Sequence, residues 1–114
     1  MWRDDAYLLD MLLAAHKVLQ FTRDVTWKRF EKNEVLQHAV MRVIQIIGEA
    51  ARHVSPEFQA EHPEIPWRGI IGMRHRLVHD YVHIDPVRVW QVVQEDIPAL
   101  IPLLEPLVPP DEPA

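Results

Sequence analysis

Cysteine is absent from the 114 residues. That excludes disulfides and thiolate metal sites and makes a reducing cytoplasm the expected location. No uninterrupted apolar run is long enough to span a membrane, so no membrane association is expected. The opening MWRDDAYLLD does not read as a signal peptide, because acids sit where the apolar region should begin. A strand of credible length is missing, and so is any internal repeat. Basic residues are in short supply: 12 Lys and Arg face 17 Asp and Glu, for a net charge of −5. Such a balance argues against indiscriminate binding to nucleic acid.

What is present is ordinary in amount and uneven in placement. Hydrophobic residues make up 48% of the chain and charged ones 25%, the composition of a globular domain. The length suits one domain with a modest core. It is expected to occupy residues 1–108, with a frayed, proline-rich tail at 109–114. Charge is not spread evenly. Residues 66–90 hold four Arg and two Asp, while the remainder carries 8 bases against 15 acids. A locally basic patch on an acidic body fits a confined anionic ligand, and equally fits a solvated face.

Helical periodicity runs through the whole chain. A first helix is expected over 4–23, with Leu8, Leu12, Ala15 and Leu19 in one stripe and Leu9, Leu13 and His16 beside it. So wide a stripe predicts burial on more than one side, with His16 as a packing residue. Thr26 suits the cap of a short turn pinned by Trp27 and Phe30. The second long helix, over 33–54, carries Leu36, Val40, Val43, Ile47, Ala50 and Val54 at helical spacing. Gly48 within it costs helix stability and so suggests close approach of a neighbour. Ser55-Pro56 and Asp85-Pro86 each pair a cap with a proline at the first helical position.

A third long helix is expected to begin near Trp67, with Gly69 and Gly72 leaving a bare groove for tight packing. The last helix should use Val89, Trp90, Val93 and Ile97. Pro98, Pro102 and Pro106 predict a kink near Pro98 and failure by about Leu103. The expected fold is all-α: an antiparallel bundle of four main helices with one or two short extra ones.

The chemistry concentrates in one stretch. Between Arg74 and His83 lie two arginines, three histidines and a tyrosine, including the string R-x-x-x-x-H-x-Y at Arg74, His79 and Tyr81. On an ideal helix five residues turn about 500°, so Arg74 and His79 point about 140° apart. One straight helix cannot aim both at one phosphate. An end to the helix near His79, or a second subunit supplying another pair, would resolve this.

Three readings follow from the residue types. His75, His79 and His83 resemble a metal-ligand stripe, but the third lies about 12 Å along the axis, and no Glu stands where a zinc-protease motif needs one. A structural polar helix is the second. The third is RNA phosphodiester cleavage, with His as acid or base, Arg holding the phosphorane, Tyr touching a phosphate or base, and no metal. Glu49 either pairs with Arg52 or His53 one turn on, or holds Arg74 or Arg76 of the motif helix.

The segments IIGEAARHVSPEF (46–58), HPEIPWRGIIGMRHRLVHDY (62–81) and IDPVRVW (84–90) resemble the HepT-like proteins of the HEPN superfamily over nearly the full length. The resemblance implies the toxin half of a toxin–antitoxin pair, with an MntA-like nucleotidyltransferase as antitoxin. It implies a metal-independent endoribonuclease without a cofactor, acting as a homodimer whose two motifs share a cleft. It makes Arg74 and His79 the catalytic pair, with His75 at the polar position after the motif Arg; from the residues themselves, Glu49 and Arg76 are expected to support the pair. The resemblance makes Tyr81 the tyrosine that the antitoxin modifies with AMP. A non-catalytic helical module of the same fold, binding nucleotide or protein, is the alternative.

Overall fold

Helix starts follow the capping side chains. In the computed structural model, which describes residues 2–109, α1 spans Trp2–Phe21, α2 Trp27–Lys32, α3 Glu34–His53, α4 Pro56–Glu61, α5 Trp67–His79, α6 Pro86–Gln91 and α7 Ile97–Leu104. Thr26, Asn33, Ser55 and Asp85 each accept a backbone N–H through the side chain at the start of α2, α3, α4 and α6, satisfying a donor that the helix cannot. A π turn, Val92–Asp96, joins α6 to α7 without leaving helical backbone, so the last main helix runs from Pro86 to Leu104. No strand occurs among the described residues. All but the first residue of the expected 109–114 tail lies outside the described range.

Three cross-chain contacts fix the directions. Asp4 at the start of α1 accepts hydrogen bonds from Ser55 N–H at 2.8 Å and Ser55 Oγ at 2.7 Å, just past the end of α3. The start of α1 therefore meets the end of α3. Gly48 lies against Arg74, while His38, ten residues earlier, meets Tyr81 beyond the end of α5. So α5 runs antiparallel to α3 as well. The result is the all-α antiparallel bundle of four main helices, α1, α3, α5 and the Pro86–Leu104 helix.

The core is one continuous cluster. Leu8, Met11, Ala15 and Val18 of α1, Val40 and Ala51 of α3, and Val89, Val93 and Leu104 of the last helix are buried almost completely. Phe30 is buried under Trp90, with ring centroids 4.9 Å apart, and Trp27 lies beside both rings. Buried Gln37 donates to the carbonyls of Phe30 and Glu31 at 2.8 and 3.0 Å, closing the end of α2.

Several sequence expectations are corrected. The second flank of α1 is not buried: His16 is exposed and Leu13 is 57% exposed. The stripe is centred instead on Met11, Ala14 and Val18, which the packed partners cover. Gly69 and Gly72 do not pack tightly, since a β-carbon at either would meet nothing within 4 Å. Both face outward on α5. Gly48 is the glycine that close approach requires, with the Cβ of Arg74 and the Ile70 carbonyl in the space a side chain would fill.

The last helix ends at Leu104, within a residue of the expected proline stop, with Pro102 inside it. The distortion sits in the wider turn before Pro98, where Ile97 N–H reaches back to the Val92 carbonyl. Pro98, Pro102 and Pro106 are all exposed, so the carbonyls they leave unpaired lie on the solvent side.

Candidate active site

The motif divides between two faces of α5. Met73 and Leu77 are buried and anchor the helix to the core. Arg74 lies toward α3, and its side chain keeps only 23% of its exposure. His75, Arg76 and His79 are exposed. Five helical residues separate Arg74 from His79, about 140° of rotation. The helix does end at His79, but both residues belong to it, so its ending does not re-aim either. One chain does not bring Arg74 and His79 together.

Gly48 explains the seat of Arg74, and Glu49 explains its direction. The bare backbone at Gly48 admits the Arg74 stem. The guanidinium then pairs with Glu49, Nη2 to Oε2 at 2.8 Å. Glu49 also takes the two neighbours on its own helix: Arg52 donates from Nε and Nη2 at 3.4 and 3.3 Å, and His53 Nε2 lies 3.2 Å away. Both sequence readings of Glu49 therefore hold at once. The Glu49 carboxyl is held below the ordinary carboxylate range. Hydrogen bonding from Arg52 is the largest cause, opposed by desolvation and aided by His53 and by the charges of Arg52 and Arg74. Arg52 ranks first there, yet Arg74 is the nearest cation, and it is the one brought from another helix. The Arg74 Nε is buried without an acceptor, so Glu49 engages only the outer edge of the guanidinium.

The exposed face carries the histidines. The His75 and His79 rings lie 4.5 Å apart, centroid to centroid. His83 does not continue that row, because a 3-10 turn, Tyr81–His83, replaces the helix after Asp80. His83 Nδ1 instead lies 2.5 Å from Asp80 Oδ1. The expected three-histidine stripe is thus broken after His79. Among the described residues no three His, Cys, Asp or Glu side chains are grouped to hold a metal ion. Tyr81 does not continue the helix face of Arg74. It starts the 3-10 turn, 53% exposed, with its ring edge-on to His38 at 6.2 Å.

On the other side Arg74 lines a groove of about 330 Å³ between α1 and α3, with Tyr7, Arg42, Ile46, Glu49 and His53 around it. Tyr7 and His53 stack there at 5.2 Å and 22°. Sequence reasoning did not single out Arg42 or bring Tyr7 to His53. Arg42, Glu49 and His53 share one face of α3, at spacings of seven and four, which is a readable signal. Tyr7 comes from a distant helix and carries none.

A family described as HepT-like, Ribonuclease HepT-like, matches residues 11–107. The chain belongs to that family. "Putative RNase MJ1380" of Methanocaldococcus jannaschii is 38% identical over 95 residues, covering 83% of this chain and 87% of that one. "Probable ribonuclease HepT" of Thermococcus cleftensis is 40% identical over 94 residues, covering 82% and 86%. No solved structure matches the chain. The motif segment at residues 74–81 lies inside the matched region, so family membership and the Arg74–Tyr81 cluster bear on the same part of the molecule. No helix among the described residues is long and apolar enough to cross a membrane.

Proposed function

We propose that this chain is a metal-independent endoribonuclease that works as a homodimer and serves as the toxin of a toxin–antitoxin pair. The observation that carries the reading is the exposed His75–His79 pair at the end of α5, in a chain belonging to a ribonuclease family. Two copies related by a two-fold axis would supply what one chain separates. One His79 removes the proton of the RNA 2′-OH, whose oxygen attacks the adjacent phosphorus. The bond from phosphorus to the 5′-oxygen breaks, and a second His79 protonates that leaving oxygen. Arg74, held by Glu49, stabilises the phosphorane charge, with His75 and Arg76 supporting the same anion. The products are a 2′,3′-cyclic phosphate and a free 5′-hydroxyl. No divalent ion is required, because the substrate brings its own nucleophile.

An MntA-like nucleotidyltransferase partner would silence the enzyme by transferring AMP to Tyr81. The adduct would set a phosphate and a purine where the RNA backbone must lie.

A second reading is a non-catalytic module of the same fold that binds nucleotide or protein. One observation favours it: within the chain, Arg74 is engaged by Glu49 on the side away from His79. The variants His79→Ala and Arg74→Ala separate the two readings. Each is expected to lower RNA cleavage in EDTA by about 10²- to 10⁴-fold while leaving the fold intact. Undiminished cleavage in both would refute the catalytic pair. Absence of cleavage by the unaltered protein would favour the binding module.

A further inference from the structure

Apart from Arg74 and Glu49, the residues lining the groove beside Arg74 have no role in the reaction above. The groove runs along α3 from Arg42 to His53, eleven residues, or about 16 Å of helix. Its charges are unevenly answered. Glu49 is met by Arg52, His53 and Arg74. Arg42 is exposed and has no ion-pair partner among the described residues. Beyond it, Ile46 is 37% exposed on the same face. At the far end Tyr7 and His53 form a nearly parallel ring pair, and the His53 side chain keeps 44% of its exposure. The groove thus offers one free guanidinium, an apolar surface and an aromatic stack whose His53 member is partly exposed.

We propose that this groove is a subsite for the single-stranded RNA flanking the scissile bond. A nucleobase extends the Tyr7–His53 stack, and Arg42 binds a neighbouring phosphate. The inference rests on the ribonuclease reading, in which Arg74 holds the scissile phosphate from the same groove. The chemistry is that of single-strand recognition, where aromatic faces take bases of any sequence and cations track the backbone. Asp10, also in the groove and without an ion-pair partner among the described residues, repels phosphate at its own position. It therefore places a base amino group there, because a carboxylate accepts from such groups.

The test uses the full-length protein and a short, fluorescent, 2′-O-methyl RNA, which binds but has no nucleophile to be cut. A 2-aminopurine in the strand reports stacking by its quenching. Tyr7→Leu is expected to weaken binding by about fivefold or more and to relieve the quenching, while Tyr7→Phe retains both. Arg42→Ala is expected to weaken binding and to lower the slope of log affinity against log salt by about 0.7, one phosphate contact on a single strand. Arg88→Ala, on the last helix, is expected to change neither. Unchanged affinity, quenching and salt slope in the Tyr7→Leu and Arg42→Ala proteins would overturn the subsite, even if the unaltered enzyme still cuts ordinary RNA. Normal RNA binding with loss of the dimer would also overturn it, assigning the groove to a second copy. Failure of the unaltered protein to bind or cut any RNA would remove the ribonuclease reading itself, and the subsite with it.

Discussion

Gly48 and Arg74 share one space: a β-carbon on Gly48 would overlap the Cβ of Arg74 and sit 3.0 Å from the Ile70 carbonyl. Helices α3 and α5 meet there backbone to side-chain stem, and nothing flexible can yield. Replacing Gly48 with Ala is therefore expected to destabilise the fold by about 2 kcal/mol through overpacking, despite the better helix propensity of Ala. It should also displace Arg74 and reduce cleavage. Gly72→Ala makes the contrast. With open space around it, the substitution is expected to raise stability by about 0.5–1 kcal/mol. Urea unfolding of the two variants checks both signs.

Glu49 holds its charge below the usual carboxylate range. A depressed folded-state pKa means that this carboxylate adds stability above its unfolded pKa and loses it as pH falls through the folded value. The stability difference between the native chain and Glu49→Gln is thus expected at neutral pH and should fade on acidification below the ordinary carboxylate range. The side chain is 41% exposed, so solvent screening keeps the effect modest. The catalytic effect should exceed it, since Gln leaves Arg74 without its nearest anion. Paired unfolding curves and cleavage rates, taken across pH, decide this.

Asp4 is buried and accepts two hydrogen bonds from Ser55. Removing it leaves the Ser55 N–H without an acceptor and loosens the start of α4, which Ser55 caps. Asp4→Ala is expected to cost about 2 kcal/mol, the range for a hydrogen-bonded charged group. Thermal unfolding measures it.

Tyr81 is exposed on a short turn, whereas Tyr7 is half-buried against His53. Co-expression with a cognate nucleotidyltransferase is expected to add one or more adenylyl groups at Tyr81, and Tyr81→Phe to escape the modification. Intact-mass spectra followed by peptide mapping give the answer. An unchanged mass, or an adduct on Tyr7, would refute the proposed silencing.

The helices were legible because caps and periodicity are local. Thr26, Ser55 and Asp85 announce their helices within a few residues of chain. The width of the α1 stripe misled, since an apolar flank such as Leu13 looks the same in sequence whether a neighbour covers it or not. Gly69 and Gly72 misled for the same reason: a glycine permits approach without showing that anything approaches. At the site, the Glu49–Arg74 pair could be anticipated from a charge inside an apolar helix. The Asp4–Ser55 clasp and the Tyr7–His53 stack could not, because each joins residues about fifty positions apart and no periodicity links them.

The π turn has a consequence for the register of the last helix. Such a turn takes up one residue more than an α-helical turn, so it rewinds the following helix by about 100° relative to an unbroken count. Val89 before it, Val92 and Val93 within it, and Ile97, Leu100 and Leu104 after it are all buried, so the packed face continues through the turn. Deleting the exposed Gln94 would leave the two apolar stretches in phase while converting the turn to ordinary α-helix. Inserting a residue would swing Pro98 and Pro102 toward the core. A one-residue deletion at positions 92–96 is thus geometrically silent, and a chain one residue shorter there can share the same packed face.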